Sequence, residues 1–129
     1  MDRHYRINVR APLLLTQSLL PLLRSATGQI VFINSSVGVR SKEQTGAYAA
    51  SKHALKAVAD TFRMELNADG IRVLSVFPGN TATPMQQQIC ATLGKSYAPQ
   101  AMLQPDDVAL AVVDALLMPR TAEITDIHL

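Results

Sequence analysis

The chain has 129 residues, 48% of them hydrophobic, and a formal net charge of +2. That length suits one small domain or a piece of a larger one, with enough apolar residues for a true core. Scattered charge without an aromatic platform argues against a nucleic-acid surface, and no apolar run reaches the roughly 20 residues of a membrane span. The single cysteine, Cys90, has no internal disulfide partner and no cluster of metal ligands around it, so no metal site is expected and a reducing, cytoplasmic setting fits. The run APLLLTQSLLPLL is interrupted by Thr16, Gln17, Ser18 and Pro21 and no small-residue cleavage site follows it, so it is not expected to be a signal peptide.

From Asp2 to about Leu23, the apolar positions Ile7, Val9, Ala11, Leu13, Leu14, Leu15, Leu19, Leu20 and Leu22 cover more than one helical face, which predicts a helix buried on two sides. Pro12 should kink it or break its hydrogen-bond ladder. Ala26–Gly28 reads as a stop, and QIVFIN, residues 29–34, as a buried strand. A polar loop, 35–45, leads to an Ala-rich helix, 46–68, which Gly70 is suited to end. IRVLSVFPG, 71–79, is a second buried strand closed by a Pro-Gly turn. A short helix is expected near Met85–Leu93. A further helix opens at Pro105 with acidic residues in its first turn, and AEITDIHL supplies a third strand. Alternation of this kind predicts an α/β fold, with parallel strands and helices on both faces. One domain, 1–129, is expected, without repeat or linker.

In such sheets ligands sit outside the carboxyl ends of the strands. The first strand delivers Ser35 and Ser36 there. The loop after it leads into Tyr48 and Lys52, one helical turn apart, and the second strand ends in Pro78 and Gly79, followed by Asn80, Thr81 and Thr83. Taken alone, a Tyr–Lys pair at this spacing is a common product of helix geometry, and Pro-Gly is a common strand-end turn. A hydroxyl, a phenol and an ammonium converging on one rim are harder to dismiss.

INSS with Gly38, then YAASK, then IRVLSVFPGNTATPM resembles the short-chain dehydrogenase/reductase family, classical type, and RINVRAPLLLTQSLLPLL looks like that family's long interface helix. The resemblance runs from about Arg6 to Leu129. It implies the C-terminal, catalytic half of a doubly wound Rossmann-type sheet, and an NAD(P)-dependent oxidoreductase acting on a small carbonyl or alcohol substrate. The residue types suit that chemistry. Reducing a carbonyl leaves an alkoxide that needs a proton. A phenol, with a reference pKa of about 10, becomes a usable acid/base near neutrality when an ammonium stabilises its phenolate.

By resemblance, Tyr48 is the acid/base, Lys52 supports it and binds the nicotinamide ribose, and Ser35 holds the carbonyl oxygen. Asn8 matches the family's helix Asn, which holds a water in the proton relay; the plain alternative is a polar residue bonding locally in its helix. Ser35 lies thirteen residues before Tyr48 and three before Gly38, as the family pattern asks, whereas Ser36 is one off on both counts. Pro78, Gly79, Thr81 and Thr83 match the family's turn at the nicotinamide. His53 is expected at solvent or at a partner subunit, and His4 and His128 without partners. Met85, Met102 and Met118 are expected in a lid or the core, and Cys90 in a structural role.

The family's opening strand, Gly-rich turn and pyrophosphate-binding helix have no counterpart among the six scattered glycines, nor has its Asn-Asn-Ala-Gly segment. NAD and NADP therefore stay equally open. The alternative to an enzyme is a truncated, inactive fragment that only folds or associates. By the same resemblance, helices 2–23 and 46–68 are expected to pair with the same helices of a second copy, giving a homo-oligomer.

Overall fold

The computed structural model describes all of residues 1–129. Helix α1 (Asp2–Tyr5) runs through a π turn (Arg6–Arg10) into α2 (Ala11–Ala26). Strand β1 (Gln29–Ile33), helix α3 (Gly46–Leu66), strand β2 (Arg72–Phe77), helix α4 (Pro84–Thr92), helix α5 (Pro105–Leu116) and strand β3 (Asp126–His128) follow. Every expected helix and strand is present.

The first helix differs in detail. It runs to Ala26 rather than Leu23, and left-handed Thr27 (φ 47°) ends it. The α-helical ladder is interrupted just before Pro12, as expected, although the helical path continues. A proline has no amide to offer the Asn8 carbonyl four residues earlier, and the wide turn at 6–10 is where the ladder absorbs the misfit.

The sheet order is β1-β2-β3, all parallel, with Gln29 opposite Arg72 and Ser75 opposite Asp126. Successive side chains alternate between faces. Phe32 and Val73 point to one side, where Leu55, Ala59, Phe62 and Leu66 of α3 and Leu13, Leu20 and Leu23 of α2 cover them. Val31, Leu74, Val76 and Ile127 point to the other, under Val108, Val112 and Ala115 of α5. Central β2 is buried from end to end, Arg72 and Ser75 included, and its apolar residues face both layers. The parallel pairing brings the carboxyl ends of all three strands to one rim.

Helix α2 was expected to be buried on two sides; the single chain covers one. Val9 and Thr16 are buried, while Ile7, Leu14, Leu15, Leu19 and Leu22 are exposed. β1 lies at the edge of the sheet, and Ile33 at its end is half exposed. Of the methionines expected in a lid or the core, Met85 on α4 and Met118 after α5 are exposed and so lie outside the core, and Cys90 is buried in α4.

Candidate active site

The site begins where β1 runs out. Asn34 continues the pairing, its amide donating to Val76 O at 2.7 Å, and Ser35 then takes an extended conformation and caps a short 3-10 turn, its Oγ accepting from the Val37 amide at 3.3 Å. The Ser36 amide donates to Pro78 O at 2.9 Å, tying the loop after β1 to the turn after β2. Ser35 is partly buried and Ser36 is exposed.

Helix α3 starts a few residues later and buries Ala49, Ser51, Lys52, Leu55, Ala59, Phe62 and Leu66 along one stripe. That stripe turns Lys52 inward, with 9% of the residue exposed. Its ammonium donates to Ile33 O at 3.2 Å and lies 5.8 Å from the centre of the Tyr48 ring. No carboxylate pairs with it; the ion pairs of the chain all lie elsewhere. Burial therefore pushes the Lys52 pKa below its ordinary value of 10.5. The ammonium thus has one protein acceptor for three donors, which leaves two donors free.

Asn8 sits in the π turn, and its bond is not local. Its Nδ2 donates to Ser51 Oγ at 3.0 Å, and Ser51 donates to the Tyr48 carbonyl at 2.7 Å. The two helices are thus stitched together at the residue that carries the phenol. His4 was expected to have no partner, but its ring meets Tyr48 edge-on at 5.7 Å, because one turn of helix separates it from Asn8. His128 also finds a partner, stacking on Phe77 at 4.8 Å where β3 pairs with β2. His53 is exposed, its Nδ1 2.9 Å from the carbonyl of Ala49.

Among the residues expected at a cofactor, the Gly79 amide donates to Leu129 O at 2.9 Å, and Thr81 Oγ1 donates to Gly79 O at 3.0 Å. Thr83 caps α4, its hydroxyl accepting from the Gln86 amide at 3.2 Å. The amides of Asn80 and Thr81 take no part in the backbone bonding of this turn, while the Asn80 carbonyl accepts from Leu103. The structure thus brings Ser35, Tyr48, Lys52, Asn8 and the 78–81 turn to one end of the fold.

Sequence reasoning gave no role to Asn34 and Ser51, and no partner to His4. Asn34 carried one available signal, a polar residue closing an otherwise apolar strand. The other two contacts depend on how α1 crosses α3.

Known proteins share this sequence pattern and fold. The uncharacterized oxidoreductase YciK of Escherichia coli is 39% identical over 108 residues, covering 80% of this chain and 39% of YciK. The 0.95 Å structure of that oxidoreductase superposes with a TM-score of 0.81 at 31% identity, covering 96% of this chain and 50% of the other. An alcohol dehydrogenase from the archaeon Thermococcus sibiricus, complexed with 5-hydroxy-NADP, gives a TM-score of 0.74 at 27% identity, over 88% of this chain and 46% of its own. An uncharacterized NAD-dependent oxidoreductase of Mycobacterium tuberculosis is 35% identical over 99 residues, 67% of this chain and 36% of its own. The chain spans about half the length, or less, of the curated relatives it matches. The family model described as short chain dehydrogenase matches residues 1–94, and the chain belongs to that family.

Proposed function

We propose that this chain is the catalytic half of an NAD- or NADP-dependent oxidoreductase that interconverts a small carbonyl compound and its alcohol. The observation that carries the reading is the buried, unpaired ammonium of Lys52 beside the Tyr48 ring. Burying such a charge without a carboxylate works against stability, and a site that uses the charge explains why it is there.

In carbonyl reduction, Tyr48 Oη gives its proton to the alkoxide oxygen, and the Lys52 ammonium stabilises the phenolate left behind. The Ser35 hydroxyl donates to the carbonyl oxygen and holds it against Tyr48. Asn8 and Ser51 keep the first turn of α3 in place while this happens. The reverse reaction uses the same groups with Tyr48 as base. The residues present suit the nicotinamide end of a dinucleotide: Lys52 would hold its ribose through the donors left free, and the 78–81 turn would meet the carboxamide. The dinucleotide supplies the hydride when bound. Its pyrophosphate would bind to the part of the family fold that lies outside these residues, and NAD and NADP suit this half equally.

The test is a chimera in which the N-terminal half of YciK precedes Met1. With NADH and NADPH and a panel of ketones and aldehydes, turnover is expected, and Tyr48→Phe should reduce it by at least about 100-fold, the usual scale of a general acid. A folded chimera that binds dinucleotide but turns over nothing, or turns over equally well with Phe at 48, overturns the proposal.

A further inference from the structure

Asn34 is 5% exposed and sits between the two halves of the site. Its Oδ1 accepts from the Ser35 amide at 2.8 Å, and its Nδ2 donates to the Lys52 carbonyl at 3.0 Å. Its neighbour Ile33 accepts from the Lys52 ammonium. Two consecutive residues, Ile33 at the end of β1 and Asn34 just after it, therefore grip one residue of α3 through both its backbone and its side chain, and Asn34 holds Ser35 as well. Gly38 completes the grip: a Cβ there would overlap Asn34 Oδ1 and crowd the Lys52 carbonyl, so only glycine lets the loop close over the amide.

The Lys52 carbonyl also belongs to the helix ladder. A second donor is not needed to satisfy it, and an aliphatic side chain would fill the space. The amide is the group that fits both ends, since it accepts from one element and donates to the other. Resting on the function proposed above, we propose that Asn34 is a positioning residue: it fixes Ser35 at a set distance from the helical turn that carries Tyr48 and Lys52. The serine that holds the carbonyl oxygen and the phenol that protonates it are then registered by one side chain. No contact of Asn34 itself with substrate or dinucleotide is involved.

The variants are made in the YciK chimera. Asn34→Ala should lower kcat roughly 10- to 100-fold, the scale of a displacement of about 1 Å, with KM for the dinucleotide nearly unchanged. The pH at which alcohol oxidation becomes active should move upward as the grip on Lys52 loosens. Exchange of the Ser35 amide, followed by NMR, should quicken by about tenfold on loss of its acceptor. Combining Asn34→Ala with Ser35→Ala should lose less than the product of the two single losses, because the part of the Asn34 effect that passes through Ser35 is already gone.

Asn34→Asp fills the same volume and keeps an acceptor for Ser35. It should leave Ser35 exchange slow while still losing turnover through the Lys52 end, so it tests the idea even where the Ala variant folds poorly. Full turnover in Asn34→Asp, losses that multiply in the double variant, or an Ala variant that loses only thermal stability would each overturn the proposal. Tyr48→Phe is the control: if that change leaves turnover intact, the proposed function has failed and Asn34 is not at issue.

Discussion

Replacing Lys52 by Met should make the protein more stable while making it inactive. Met keeps an unbranched apolar stem of similar length in the same channel and deletes the charge. Two effects oppose each other. The hydrogen bond to Ile33 O is lost, a charged bond with a net contribution of about 1.5–3 kcal/mol. The cost of holding an unpaired ammonium in a residue that is 9% exposed is removed, and that cost is several kcal/mol per ion after relaxation. Ile33 is half exposed, so water can reach its carbonyl once the ammonium has gone.

The balance favours the variant by about 1–2 kcal/mol at pH 7, or roughly 3–8 °C in Tm for a domain of this size. The sign of the pH dependence follows from the lowered pKa. The unfolded chain holds the Lys52 proton up to 10.5, and the folded chain releases it earlier. Between the lowered value and 10.5 the unfolded state binds more protons, so the wild type gains stability as pH rises through that window. The gap to the variant should close there. Urea unfolding of both proteins from pH 7 to pH 10.5 measures it. A variant less stable at pH 7 by more than about 1 kcal/mol, or a gap that does not change with pH, would refute the reasoning: the ammonium would then be satisfied by the fold and not held for a ligand.

The far end of the sheet should behave in the opposite way. The buried Arg72 guanidinium donates to Gln29 Oε1 and to the carbonyls of Leu116, Met118, Pro119 and Ala122, clamping the end of α5 to β1 and β2. Arg72→Met leaves several of these acceptors without a donor and should cost about 2–4 kcal/mol in urea unfolding, since each dry orphan costs about 1–3 kcal/mol; a loss under about 1 kcal/mol would show that water replaces the clamp. At the catalytic rim, Ser35→Ala should reduce kcat of the chimera far more than Ser36→Ala, because Ser36 is exposed and its amide already serves the 78–81 turn. The reverse order would mean that the oxygen-holding serine is misassigned by one residue. In solution the 129-residue chain should form dimers or larger species at micromolar concentration, through the exposed Leu14, Leu15, Leu19 and Leu22 of α2 and the open edge of β1. Leu15→Asp with Leu22→Asp should shift light scattering toward monomer, and a wild-type monomer across that range would count against both surfaces.

The amino-acid sequence by itself determined the element order, because local periodicity and punctuation carry it. The short apolar stretches at 29–34 and 71–79 marked two strands, but only β2 is buried throughout; β1 lies at the sheet edge, with Phe32 buried and Ile33 exposed. Gly70, left-handed at φ 72°, closes the α3 segment where its position suggested, and Pro105 opens α5 at its first residue. The spacing of Ser35, Gly38, Tyr48 and Lys52 pointed to the candidate site, since those residues lie close along the chain at a strand end and in one helical turn. Tertiary structure decided what depends on how distant segments meet. Asn8 bonds across 43 residues to Ser51, and His4 reaches the Tyr48 ring, because α1 crosses the start of α3. The sequence marked Pro12 as the place of a ladder defect, but only the structure shows its form, a π turn at 6–10 that widens the helix without ending it. The number of covered faces of α2 was beyond sequence reasoning too. Periodicity shows that a face is apolar, but only packing shows what covers it. The grip of Asn34 on Lys52 rests on the same physics: a side-chain amide is short, so its two partners exist only once the loop has closed at Gly38 and brought strand and helix within its reach.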